Sequence, residues 1–334
     1  MDQGFAIPQG VLARSVLCML RASLTPQKKN QPCMKKILLH SLSLALSGLC
    51  FGPAFAAEQK PTATPTVTVT APADTSILNE EALVGPYNQP EWTGHRRFST
   101  TRVYVQKQPW EIGVEQWWRL RTYDDKPSKH LFIEELEIGL PYRMQLDLYY
   151  DWVHEKGETE SKDFAVELRW ALADWGKLPL NPTLYAEYKF TDADYGSDVF
   201  EFKLLLGDDF GPRWHWGINF AFEAETGGEE KANEFAVTQG ISYTIIDEVL
   251  SAGLEMQFKY ENIKGARDDG EKKFQIGPSV QWRLTKNTHL DLVGLIGCTD
   301  ESPSFESFVV FGFDFGAREP KKTEGYKPVS GARL

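Results

Sequence analysis

Between Trp110 and Phe315 the chain returns again and again to one pattern, an apolar residue alternating with a polar one over about ten positions at a time. Residues 199–206, 214–223 and 274–283 show it most clearly. A period of two sends successive side chains to opposite faces of a strand, so each segment has one apolar and one polar face. About nine to eleven tilted strand residues cross the hydrocarbon of a bilayer. Strands that do so must close on themselves, because lipid offers no partner to an unpaired backbone group. The pattern predicts an all-β fold, a transmembrane antiparallel up-and-down β-barrel. It names neither a solute nor a reaction.

The start of the chain points to export. Met34-Lys-Lys36 opens a short basic region, residues 37–51 are mostly apolar, and Ala54-Phe55-Ala56 has the small-x-small form of a signal peptidase site. Residues 34–56 are therefore expected to be a signal peptide and the mature chain to begin at Ala57. Residues 1–33 fit poorly ahead of such a signal and are read as a start-site artefact upstream of Met34. Three of the four cysteines, Cys18, Cys33 and Cys50, fall before the cut, so only Cys298 remains and no intrachain disulfide is expected.

Charge narrows the partners. The whole chain carries 36 basic and 47 acidic residues; residues 1–56 hold six and one of these, which leaves 30 and 46, a net charge of −16. Such a balance disfavours nucleic acid, whose phosphates need a basic patch. The mean hydropathy of −0.38 disfavours a helical membrane protein, whereas alternation hides a barrel from any average.

Three regions follow the cut. Residues 57–108, which include the Thr/Pro-rich stretch 61–72, are expected to be a flexible periplasmic arm, with order near the barrel and plugging of the bore left open as alternatives. Within it Thr66-Val-Thr-Val-Thr-Ala71 resembles the TonB box of TonB-dependent transporters, although a plain Thr/Pro linker also accounts for it. Residues 109–316 form the barrel, with twelve strands expected near 110–123, 130–140, 144–154, 164–172, 182–190, 199–207, 214–225, 234–245, 250–262, 273–284, 288–298 and 305–315. An even count returns both ends to the periplasm. Residues 156–163, 192–198, 226–233 and 264–271 read as longer outer loops, and 141–143, 246–249 and 286–287 as short periplasmic turns; 173–182 is longer than that rule expects. Residues 317–334 form a polar tail. The aromatic residues sort into two girdles, one including Trp110, Trp170, Trp214, Trp282 and Phe313, the other Tyr150, Trp152, Phe190, Phe200 and Phe258.

The region 110–315 resembles the small bacterial outer-membrane β-barrels, which include twelve-stranded channels and an outer-membrane phospholipase. The final strand Phe311-Gly-Phe-Asp-Phe315 resembles the aromatic ending that the barrel-assembly machinery recognises. The resemblance implies an outer-membrane location, with lipid, the assembly machinery and small polar solutes as partners.

If the apolar alternates face lipid, the lumen receives Glu111, Glu115, Arg119, Glu135, Glu137, Asp147, Asp151, Glu167, Arg169, Glu187, Lys189, Glu201, Lys203, Glu223, Glu255, Lys259, Arg283 and Asp291. Acids outnumber bases there, which in a water-filled bore would favour cations. Pairing of these charges across the bore would instead give a closed, structural or binding barrel. Asn219 also falls on the inner face, where arginine is expected to be tolerated. Catalysis has little support: a hydrolase of this architecture needs a Ser beside a His on an outward face, and neither His215 nor His289 has one. No HExxH, paired CxxC or Walker loop occurs, so no metal or other cofactor is expected. The sequence reads best as a narrow passive channel for small polar, preferentially cationic, solutes, and not as an enzyme.

Overall fold

The computed structural model describes residues 78–227, 231–263 and 270–315. The expected signal peptide, the TonB-box-like stretch, the outer loop at 264–269 and the tail from 317 lie outside these residues. The described chain opens with a 3-10 turn at Asn79–Glu81, a two-stranded pair formed by β1 (Leu83–Val84) and β2 (Gln89–Pro90), and a second 3-10 turn at Glu91–Gly94. Twelve longer strands follow: β3 (Ile112–Thr122), β4 (Lys129–Leu140), β5 (Met144–Glu155), β6 (Glu158–Ala171), β7 (Thr183–Thr191), β8 (Val199–Asp209), β9 (Trp214–Glu225), β10 (Ala232–Ile246), β11 (Leu250–Ile263), β12 (Glu271–Thr285), β13 (Thr288–Gly297) and β14 (Phe305–Phe315).

Each strand pairs antiparallel with its neighbours in sequence, and β14 closes the ring against β3 from Phe305↔Thr122 to Phe315↔Ile112. Closure leaves no edge, as hydrocarbon requires. The alternation also lands as expected. In β3 the residues 113, 115 and 117 are buried while 112, 114, 116 and 118 are exposed, and β14 alternates without interruption from 305 to 315. The outer surface is rich in Phe, Trp, Leu and Ile, including Phe220, Trp214, Trp282 and Phe235.

Two local expectations need correction. Residues 158–163 belong to β6 and pair with β5, so the outer loop at 156–163 shrinks to Lys156-Gly157. Both residues have left-handed backbones, φ 56° and 88°, the form that matches hairpin twist in a two-residue turn. Trp110 precedes the first strand with φ 69°. Its amide bonds to the Gly139 carbonyl, which anchors the chain where it enters the wall.

The larger correction concerns the arm. Residues 78–108 are not a flexible extension but fold inside the barrel, where Trp92, Arg96, Phe98, Tyr104, Val105 and Lys107 are at most 1% exposed. Trp92, Phe98, Val103, Tyr104 and Val105 pack together with Tyr87, Ala171 and Trp175 as an apolar cluster. The last of these explains the long turn after β6: residues 172–182 fold beneath the segment so that the Trp175 ring meets Trp92 and Tyr104 edge-on, at 5.8 and 5.3 Å between centroids. The segment lacks alternation because it belongs to no ladder of the barrel. It is held by its own side chains and by wall groups that bond to its backbone.

The outward face gives a direct test. Leu204→Arg, mid-strand on β8 and turned away from the bore, should destabilise the folded barrel by about 2–4 kcal/mol. The neighbouring inward change Lys203→Gln should cost less than about 1 kcal/mol. Urea unfolding from lipid vesicles measures both; equal costs would invalidate the assignment of faces.

Candidate functional site

The polar inner face divides into two levels. One lies toward the end of the barrel where β3 begins and β14 finishes, and the N-terminal segment fills it. The other opens toward the opposite end and is hollow.

At the filled level, wall carboxylates meet cations from the segment. Arg96 donates to Glu115 at 2.6 Å and to Glu135 at 3.0 Å, and its guanidinium lies 4.3 Å from the Trp117 ring centroid. Lys107 is bonded to Asp314 and lies 2.9 Å from Glu137. Arg102 reaches Glu135 at 3.2 Å and the Tyr149 hydroxyl at 3.1 Å. Arg283 of the wall faces Glu91 of the segment at 3.5 Å. Arg169 of β6 pairs within the wall, with Asp147 and Glu167, and donates to Gln106 of the segment at 2.6 Å. Glu115, Glu135 and Glu137 are the one group of three carboxylates among the described residues close enough to hold a metal ion. The charges of Arg96 and Lys107 occupy that role.

The segment's backbone is clamped as well. Asn219 of β9 accepts from the Arg102 amide at 2.7 Å and donates to its carbonyl at 2.8 Å. Gln145 accepts from the amides of Gln106 and Lys107, and Glu255 accepts from the amides of Ser99 and Thr100 and from the Thr100 hydroxyl. Asn219 is therefore not a tolerant pore position. Arginine there would break both bonds to residue 102 and push into the segment.

Close approach is permitted by glycine. Gly207, Gly217 and Gly240 stand side by side across β8, β9 and β10 on the inner face. A Cβ at Gly207 or Gly217 would lie 2.5 or 2.6 Å from the Val103 methyls, and one at Gly240 would strike the Phe98 ring. The wall is bare where the segment rests on it.

Toward the filled end, Glu80 sits under Trp92 and beside His215. His215 accepts the stacked Trp92 ring at 4.6 Å, contacts Asp209 at 2.6 Å through Nδ1, and through Nε2 meets Glu80 and the Thr244 hydroxyl at 3.0 and 3.1 Å. Burial disfavours a charge on Glu80, but Arg97 and then His215 outweigh it and hold the carboxyl well below the usual range. Burial instead raises that of neighbouring Glu81. The Asp209–His215–Thr244 series has the order of a nucleophile relay. Yet Thr244 and His215 are fully buried beneath Trp92, so no acyl group can reach the hydroxyl. This cluster serves to hold the segment.

The hollow level is a vestibule. Two connected cavities of about 250 and 340 Å³ share Arg119, Lys162, Lys189, Glu223, Glu234 and Lys259 in their linings, with Ser99, Thr100 and Arg102 of the segment forming the floor. Below that floor, among Trp92, Arg96, Phe98 and Arg102, the space shrinks to about 10 Å³, enough for one water. In the vestibule Lys189 is shared by Glu187, Glu201 and Glu223 at 3.2, 3.7 and 3.1 Å, Lys203 pairs with Glu201 at 3.0 Å, Lys259 with Glu234 at 2.7 Å, and Arg119 and Arg121 with Glu306.

Thirteen of the eighteen inward charges expected from the sequence thus separate into two sets. Glu115, Glu137, Asp147, Glu167, Arg169, Glu255 and Arg283 face or flank the segment; Arg119, Glu187, Lys189, Glu201, Lys203 and Lys259 line the vestibule. Sequence reasoning missed the other half of the site, His95, Arg96, Arg97, Arg102 and Lys107. The available signal was a knot of basic residues just before the first strand of an acidic chain.

Residues 180–313 match the protein family described as "Putative MetA-pathway of phenol degradation". Among solved structures, the chain is similar to an outer-membrane channel from Pseudomonas putida F1, with a TM-score of 0.50 and 12% identity over 64% of this chain and 98% of that one. It also resembles the NanC porin, with a TM-score of 0.44 and 11% identity over 62% of this chain and all of that one. No curated protein matches. The closed twelve-stranded topology and the first of these likenesses define the fold as an antiparallel β-barrel of the kind that an outer-membrane channel has.

Asn219→Leu would strip the Arg102 backbone of two buried partners, at a cost of about 1–3 kcal/mol per unsatisfied group. Hydrogen exchange of amides in residues 96–106 should then quicken while the strand amides stay protected. Unchanged exchange in the segment would mean that Asn219 does not hold it.

Proposed function

We propose that the protein is an outer-membrane channel for small polar solutes, closed at rest by its own residues 78–108. One observation carries this reading: the inner face is lined mainly by charged and polar groups, broken by an apolar patch of Trp117, Val293, Leu295, Phe308 and Val310; it is hollow at one level, and at the other filled by a segment with no strand pairing to the barrel. A barrel built only for strength has no use for a charged vestibule leading to a detachable floor. We place the filled end in the periplasm, because the short turns 141–143, 247–249 and 286–287 lie there, and the vestibule toward the cell exterior. Export by the signal at 34–56 belongs to the same reading.

Charge selection depends on the state. With the segment in place the vestibule's acids and bases are interleaved and nearly balanced. When the segment leaves, Arg96, Arg102 and Lys107 leave with it, and Glu135, Glu137 and Glu255 lose the donors that it gave them, while Glu115 keeps His289 of the wall. An open state lined this way prefers cations. The family description over residues 180–313 adds phenol-like molecules to the candidate cargo, and Trp117, Tyr149, Tyr185 and Phe308 give the vestibule aromatic walls to receive them.

Planar-bilayer recording tests the reading. The intact protein should open rarely, and Asn219→Leu combined with Glu255→Gln should open often, with a cation preference that fades as salt rises. Adding Glu135→Gln to that pair should weaken the preference. Silence from all three proteins would favour the non-conducting structural or binding barrel.

A further inference from the structure

The wall of the vestibule carries one corner that its own residues leave incomplete. Asp151 of β5 and Asp163 of β6 are directly opposed across the ladder, beside a register shift between Asp151 and Trp152. Opposed side chains of this kind have Cβ atoms about 4.5–5.5 Å apart, and like charges there repel. Asp163 receives one cation, the Lys162 ammonium, on a single carboxylate oxygen. Its other oxygen has no donor. Asp151 is 9% exposed, and its buried Oδ1 has no hydrogen-bond partner among the described residues. Both line the 250 Å³ cavity. A buried carboxylate facing a cavity with nothing to accept from lacks a donor that something else can supply.

The surroundings say what kind of donor. Ile133 lies next to Asp151 in register, and Leu131 and Ala165 line the same cavity. A calcium ion takes about six to eight oxygen ligands, far more than two aspartates beside an aliphatic ledge provide. An organic ammonium needs only two or three acceptors, and its hydrocarbon portion would cover Leu131 and Ile133. We propose that Asp151 and Asp163 form a subsite in the vestibule for small organic ammonium solutes bearing an apolar or aromatic group. The site stands one inward position above Tyr149, which touches Arg102 of the floor, so a solute bound there waits directly over the closed level. This assignment deepens the channel reading and rests on it, since it names the solute class that the vestibule holds before passage.

Equilibrium dialysis of the full mature chain in lipid nanodiscs against 2-phenylethylamine tests it, with 2-phenylethanol as the uncharged analogue of the same shape. The amine should bind saturably and the alcohol at least tenfold more weakly. Asp151→Asn should reduce amine affinity at least tenfold while the barrel keeps its heat-modifiable migration; should that variant fail to assemble, Asp163→Asn makes the same measurement. Equal binding of amine and alcohol, an unaffected aspartate variant, or displacement of the amine by calcium chloride at one ion per chain would each overturn the subsite. Binding is read here without passage. A silent bilayer with intact amine binding therefore counts against the channel alone, and a conducting barrel indifferent to the amine counts against the subsite alone.

Discussion

A backbone in hydrocarbon has nowhere to send its N–H and C=O groups except to a neighbouring strand, and this single requirement generates most of what the molecule does. It forces the ring to close between β14 and β3. Closure creates an inside, and alternation delivers most of the charged residues of twelve strands into it. The inside then has a problem of its own: carboxylates from adjacent strands crowd together, as Glu115, Glu135 and Glu137 do, and unpaired buried charges cost several kcal/mol each. The arginines and lysine of residues 96–107 solve it at one level, and wall lysines solve it at the other.

The strands and their faces were legible because both depend on a local rule. A period of two survives in the sequence whatever the rest of the protein does, so twelve segments could be placed within a few residues. The boundary at 156–163 was misread because exposed strand extensions beyond the membrane are as polar as loops, and only the left-handed pair Lys156-Gly157 marks the true turn. Residues 78–108 were illegible for the opposite reason. Their conformation obeys no period, and it is specified by wall partners lying from 19 to 207 positions away in the chain, such as Glu115 for Arg96 and Asp314 for Lys107.

The same separation explains why the inner charges were identified but their consequence was not. Counting acids on the wall gives a surplus at mid-strand, correct for the wall and misleading for the bore, because the neutralising cations come from outside the repeating pattern. Asn219 shows this at one residue. Read from alternation it is an unremarkable polar position; in the folded chain it holds both polar groups of the Arg102 backbone.

The bare strip formed by Gly207, Gly217 and Gly240 bears on the order of assembly. Residues 98 and 103 are synthesised ahead of every barrel strand, yet the surface that receives them exists only after β8, β9 and β10 have paired, and Asp314, which receives Lys107, arrives with the last strand of all. Contacts of such long sequence separation form late, after the entropy of closing the intervening loop has been met. The segment that precedes the barrel in sequence is thus the last to complete its contacts, because the bond between Lys107 and Asp314 waits for the strand that closes the ring.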